Sequence, residues 1–447
     1  MPVGSFKVQD AASPIASQHA LDWLNFFLAA LLMGFGPFIS VHLADWGWTP
    51  EGIGLVLTVS GLAGLVAQIP AGELIDMVGS KRALIGAGTA AAALALLLFG
   101  LRLDYPSVIT AALIQGVAGS MLGPAIAAIS LGLVGHDALP ERLGRNQRFA
   151  SIGGLVMAAV FGFVGFLLST RDIFVLSAAL WIPLLLALLR IHPADVHFGR
   201  SCGAPDHDTA NPPRASRTSL FKDHRLLTFA VCLFLFQLAN ASLLSQLSQT
   251  LAHAEGHSSS LIVSALVVGP QIVVALLAPW AGRAAASWGR RPLLVIGLAA
   301  VPIRSALFVL TIDPTALVAV QLLDGLSGAT LGVLTALVVA DLTAGTGRFN
   351  LAQGLVGTLS GIGASLSTSL SGFTVQTFGQ TAGLLSVTAV GLLAVAVVLA
   401  FMPETKPPSR TQAHHDTARR QERNLEPAAI INTTGRRLIW FRQRLWS

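Results

Sequence analysis

Two ionisable residues lie deep inside long apolar runs of this 447-residue sequence, Arg304 and Asp324. A charge at the centre of a helix in hydrocarbon costs about 2.5–3.5 kcal/mol on insertion scales, so such groups serve a function or are paired. Arg304 stands eight residues before Ile312, and Asp324 nine after Thr315. At ~1.5 Å per helical residue, both fall ~12–14 Å from the same ends of two adjacent antiparallel helices. They share one depth and can meet. Two readings stay open: a static ion pair that fixes helix packing, or a carboxyl that takes a proton or substrate cation while Arg304 holds its pKa down. Gln237 and Asn240, three residues apart on one helical face, can hydrogen-bond a solute or bond across helices as packing contacts. Asp22 and Asn25 stand at the start of the first apolar run, where Asp22 is expected as a cap or interfacial charge. Cys202 and Cys232 are the only cysteines, which excludes a disulfide scaffold and a Cys-based zinc site. No two-histidine zinc helix, phosphate loop or nucleophile elbow occurs, so no catalytic residue, metal or cofactor is expected.

The elements that carry these residues are membrane spans. Charged residues make up 11% of the chain, hydrophobic ones 53%, and mean hydropathy is +0.69. A soluble domain has about 25% charged residues, so this chain lacks the polar surface that water requires. Spanning helices need about 20 mostly apolar residues. Six such runs lie at 23–41, 52–72, 83–101, within 107–134, at 149–170 and at 173–189. Four more lie at 226–247, 259–279, 292–311 and 317–339, and the 55 charge-free residues from Phe349 to Pro403 split at Phe378–Thr381 into two. The sequence thus predicts an all-α membrane protein of twelve spans. Residues 1–19 lack the basic and apolar regions of a cleaved signal.

Orientation follows from lysine and arginine in the short loops. One side holds fifteen, from Lys81 to Arg348; the other holds only Arg102 and Arg171. The basic side is the cytoplasmic one, which places both termini inside. The net charge of +6 therefore reads as membrane orientation, with no nucleic-acid partner.

The chain also repeats itself. Gly72, Asp76, Gly79, Lys81 and Arg82 follow the second run; Gly282, Gly289, Arg290 and Arg291 follow the eighth, 210 residues on, with Ala286 in place of Asp76. Gln115-Gly116 and Asp324-Gly325 repeat at an offset of 209, so Gln115 occupies the place of Asp324 in the first half. Duplicated six-helix units mark secondary transporters whose substrate site lies between the halves. Four parts follow: residues 1–190, a first six-helix bundle; 191–225, a solvated cytoplasmic linker; 226–405, a second bundle; and 406–447, a basic cytoplasmic tail.

The glycine-spaced loop, its copy at Gly282, the six-plus-six layout and the exit Pro403-Glu404-Thr405-Lys406 resemble the major facilitator superfamily over residues 20 to 405. The resemblance implies two pseudo-symmetric bundles rocking about a midplane cavity lined by helices 1, 4, 7 and 10. Two marks of that superfamily's drug/proton antiporters are absent: Ala112 stands at their helix 4 arginine, and the fifth span has no proline. Asp76 is expected to face a helix N-terminus or an arginine among Arg142, Arg145 and Arg148, forming a latch in one state only. Its bland alternative is a capping acid beside a topogenic basic pair. The expected function is secondary-active transport of a small solute by alternating access across a bacterial inner membrane, export over import, by a monomer with a coupling proton as candidate co-substrate. A passive uniporter and a non-transporting receptor or assembly protein are the competing classes. For the tail, an interfacial helix and a disordered segment stay open.

Overall fold

The computed structural model describes residues 14–34, 36–204, 215–244, 246–247, 259–311 and 313–406; the tail after Lys406 lies outside them. All regular structure among them is helical. Helix α1 (Pro14–Met33) starts well before the first apolar run, and Ser17, Asp22 and Asn25 on its polar first turns are buried against the rest of the protein. It stops at Gly34 and the chain resumes as α2 (Gly36–Asp45). Then come α3 (Pro50–Met77), α4 (Lys81–Leu101) and α5 (Tyr105–Leu167). Thr49, Ser80 and Asp104 start these three helices, each side chain accepting a backbone N–H of the first turn.

The 63-residue run of α5 is two helices joined at Gly135, whose φ of 70° and ψ of −178° are essentially closed to other residues. Its second part begins long before Phe149, so Arg142, Arg145 and Arg148 lie on a helix and not in a loop. The sixth apolar run is also broken, into α6 (Thr170–Ala179) and α7 (Trp181–Leu189). Pro183 accounts for that break: its ring would strike the carbonyl of Ala179, four residues back. After the short α8 (Phe198–Ser201) and α9 (Arg217–Phe221) come α10 (His224–Asn240), α11 (Ser259–Trp288), α12 (Arg290–Leu310), α13 (Pro314–Leu342), α14 (Phe349–Phe378) and α15 (Gln380–Phe401). Gly379, at φ 87°, separates the last two inside the turn read from the sequence. Nine described stretches are long and apolar enough to cross a bilayer, with 61 residues of α5 counted as one. Large apolar side chains such as Val66, Leu276 and Leu310 stand exposed on the outer faces, as hydrocarbon contact allows and water does not favour.

The buried apolar residues sort by half. One cluster runs from Ala20 to Ile191, and others draw on residues beyond Leu220. Ala127, Leu131, Leu139 and Leu143 of α5 cross over and pack into the second half's core. The halves meet chiefly along α3 with α14 and α5 with α11, and α5 also packs on α13. Glycine makes the two chief contacts possible. A Cβ at Gly72 or Gly354 would collide with the backbone of Asn350 or Gln68, and one at Gly282 or Gly144 with that of Pro140 or Ala278. All four contacts lie toward the ends that carry the basic loops, so this end of the molecule is shut.

One expectation fails at the linker. Its described parts are not simply solvated: Ser201, Cys202 and Ala204 are buried, as are Ile191 and Leu220. The Cys202 carbonyl accepts from the Phe349 N–H, the Gly203 carbonyl from Gly345, and the Ala215 N–H donates to the Thr346 carbonyl. Polar composition hid this, because the linker is held through backbone groups that composition does not report.

Candidate functional site

At the shut end, the Asp76 carboxylate sits on the first turn of α14. Oδ1 accepts from the Asn350 backbone N–H at 3.2 Å and its Nδ2 at 2.8 Å, and Oδ2 accepts from the Leu351 N–H at 2.9 Å. An anion on a helix N-terminus satisfies donors that lack a partner within the helix and meets the positive end of its dipole. Of the alternatives left open for Asp76, the geometry has the helix N-terminus, and it belongs to the opposite half. The linker joins the same contact: Asn350 Nδ2 also donates to the Ser201 carbonyl, and Cys202 Sγ to the Asp76 carbonyl. Burial pushes the Cys202 thiol above its ordinary range. Glu73, one turn before, takes Arg217 of the linker and Arg348 of the second half.

The basic pairs do the same work in both halves. Buried Lys81 caps the end of α3, donating to the carbonyls of Ile75 and Val78, and Arg82 donates to the Leu189 carbonyl at the end of α7. Arg290 donates to the Ala285 carbonyl, and Arg291 to that of Leu399 near the end of α15. Arg290 also pairs with Asp341 at 2.8 Å. Glu404 of the exit motif accepts the backbone N–H groups of Arg290 and Arg291, at 2.8 and 3.1 Å. Gly289 lies against that carboxylate, and with its φ of 104° no side chain is favoured there. Gly79 has open space around it.

Asp22 is the clearest correction. It is 1% exposed, with one oxygen on Arg142 and the other 2.6 Å from Arg145. A helix cap or interfacial charge was expected; burial between two arginines of the same helix makes it a tie between α1 and α5 instead. His42 is likewise buried, with ring nitrogens 2.8 Å from Thr170 Oγ1 and 3.2 Å from the Phe99 carbonyl. Gln115 is buried beside the packed Gly116 and is absent from the lining of the central cavities. The place matching Asp324 is thus filled by helix contact, where Gly116 lies on Ser60 and Gly64.

Above the shut end, a cavity of about 540 Å³ lies between the halves. Asn25 of α1, Gln68 of α3, Ser120, Asn146 and Gln147 of α5, Thr335 of α13 and Gln353 of α14 give it its polar groups; the rest is mostly leucine, alanine and glycine. Asn25 Nδ2 donates to the Leu21 carbonyl at 2.7 Å, and Asn146 links Arg142 to Ser130. Gln68 Oε1 and Gln353 Nε2 are buried without a hydrogen-bond partner. Asn146 and Gln147 escaped the sequence because three arginines around them mimic a loop. Their signal was helical: Leu139, Leu143 and Asn146 follow at spacings of four and three.

A second cavity of about 330 Å³ adjoins it, sharing Gly332, Thr335 and Gly357. Gln237, Asn240 and Asp324 line it. Arg304, 2% exposed, lies behind this wall with Nη1 2.5 Å from Asp324 Oδ1 and Nη2 2.5 Å from Asn240 Oδ1. The Asp324 side chain is 32% exposed. The carboxylate therefore faces the cavity while its countercharge stays sealed in helix packing. Among the described residues, no group of acids, histidines and cysteines could hold a metal ion.

Apolar helices of spanning length, joined in two halves around a polar-dotted cavity, define a multi-pass membrane transporter. The chain belongs to the Major Facilitator Superfamily, which it matches over residues 22–270 and 229–446. Uncharacterized MFS-type transporters of two Mycobacterium tuberculosis strains are 37% identical over 400 residues, 88% of this chain and 95% of theirs. Monocarboxylate transporter 13 of Rattus norvegicus is 28% identical over 148 residues, 32% of this chain and 35% of that protein. In fold, the crystal structure of a point mutant of the nucleoside transporter NupG is similar, with a TM-score of 0.60 at 20% identity over 86% of this chain and 98% of that one. The protein is accordingly a transporter and not an enzyme.

Proposed function

We propose that this transporter moves a small solute by alternating access, with twelve spans, both termini cytoplasmic and the present geometry closed toward the cytoplasm. The carrying observation is the pairing of a cavity bordered by both halves with a seam beneath it that only glycines allow to close. Backbone-to-backbone contacts of that kind release as units when the halves rock, whereas interlocked side chains would not. The membrane is the bacterial inner membrane, and export is the direction carried from the loop motif. The 1–190 and 226–405 bundles are the rocking bodies, bridged by 191–225, with 406–447 as a basic tail.

Asp324 is the coupling group in this reading. It is the acid of the cavity wall, and Arg304, itself bonded to Asn240, holds it in place from behind. Gln237, Asn25, Gln68, Asn146 and Gln353 supply neutral hydrogen bonds to the solute. The test is transport in proteoliposomes, with solutes first chosen by thermal stabilisation and monocarboxylates leading the library. A pH gradient that drives accumulation supports the coupled reading. Equal solute fluxes with and without the gradient would make the protein a passive uniporter, and no flux of any stabilising solute would leave a receptor.

A further inference from the structure

We propose that the groove between α1 and α7 binds an anionic phospholipid, with its phosphate at the mouth and an acyl chain along the floor. The groove, about 790 Å³, lies apart from the central cavity. From α1 come His19, Trp23 and Phe27, each four residues on and so forming one stripe. From the end of α7 come Leu186, Leu189 and Arg190. The eight residues from His19 to Phe27 rise ~12 Å, close to the ~15 Å of one leaflet's hydrocarbon. Trp23, Leu186 and Leu189 are each at least half exposed, so the groove opens outward, to the bilayer. An exposed tryptophan one turn below the charged rim sits at the depth that indoles favour.

The rim selects the head group. Among the described residues, the exposed Arg190 side chain has no hydrogen-bond or ion-pair partner. Exposed His192 lines the same groove, and Arg145 stands 3.1 Å from His19. The two acids at hand are engaged: Asp22 by Arg142 and Arg145, Asp195 by the Ser17 hydroxyl at 2.5 Å. A head group arriving there meets a free cation over an apolar floor. That combination fits an amphiphile with a negative head, and it fits neither a free anion nor an uncharged lipid.

The test is native mass spectrometry of the detergent-purified full chain with phosphatidylglycerol and with phosphatidylcholine of the same acyl chains. Phosphatidylglycerol should be retained preferentially. Arg190→Gln should lower that preference about fivefold, the worth of one cation near an anionic head, while Arg190→Lys keeps it. Leu186→Trp, which fills the floor, should weaken retention of the lipid with the rim intact. Inorganic phosphate should give no comparable thermal stabilisation. Equal retention of the two lipids, a preference unchanged in Arg190→Gln, or stabilisation by phosphate equal to that by phosphatidylglycerol would each overturn the lipid site. All three readouts are independent of transport, so they stand or fall apart from the proposed function.

Discussion

Asp324 and Arg304 meet because residue counts on two antiparallel helices put them at one depth, and that pairing decides what each substitution does. Asp324→Asn removes the charge and leaves Arg304 sealed in packing without its counterion. An orphaned buried charge costs roughly 3–5 kcal/mol, so this variant should show a lowered melting temperature and poor yield. Replacing both, Arg304→Leu with Asp324→Leu, should restore folding, since apolar residues of similar volume often substitute for a buried pair at no cost. The double variant should nonetheless lose accumulation driven by a pH gradient. Full gradient-driven transport in the folded double variant would remove Asp324 from the mechanism. At the shut end, Asp76→Asn weakens charge-assisted hydrogen bonds worth about 1.5–3 kcal/mol each. It should slow transport while leaving normal amounts of protein in the membrane, because the contact joins the halves and not the core of either. Unchanged rates would reduce Asp76 to a cap. The depth of Arg304 and Asp324 was legible because helical rise is fixed. The partners of Asp22 were not, since 120 residues separate it from Arg142 and nothing local specifies that approach.

Among elements, α3, α5, α11 and α14 carry the closure, and their seam depends on missing side chains. Gly354→Val would drive a methyl into the Gln68 carbonyl region, a clash with backbone that no rotamer relieves. The halves should separate there while each keeps its own core, so the variant should fold and populate the state open at the basic end. Double electron–electron resonance between labels at the exposed Met77 and Lys222 would read the change; an unaltered distance distribution would mean the seam does not control closure. Spans and their glycine spacing were readable in the sequence because hydrocarbon demands length and close packing demands small residues. Element ends were less so. Charge stopped the sequence reading at Arg142–Arg148, but the helix continues because Arg142 and Arg145 find Asp22 and Arg142 also finds Asn146. The break at Leu180, by contrast, follows from Pro183 and could have been read in advance.

At the scale of the whole molecule, the linker gives closure a chemical reporter. Cys202 is fully buried in the closed end, held between Lys81 and the Asp76 carbonyl, and its thiol is pushed up by that burial. Only the thiolate reacts with a maleimide, so in this state the residue should be inert on two counts, access and protonation. When the halves part at the basic end, Asp76 leaves α14, and the Ser201–Cys202 segment loses partners on both sides. The thiol would then meet water and return toward the ordinary value of about 8.5, raising the thiolate fraction as access appears. In a Cys232→Ser background, N-ethylmaleimide labelling of the folded transporter should be slow. It should speed up in Asp76→Asn and in Gly354→Val, and it should rise with pH more steeply in those variants than in the parent. The two variants act at different points of one seam and share no side chain, so a common acceleration identifies rigid-body opening as the cause. Rates equal to the parent in both, with labelling complete after denaturation, would show that the linker stays docked through the cycle and that the halves do not part there.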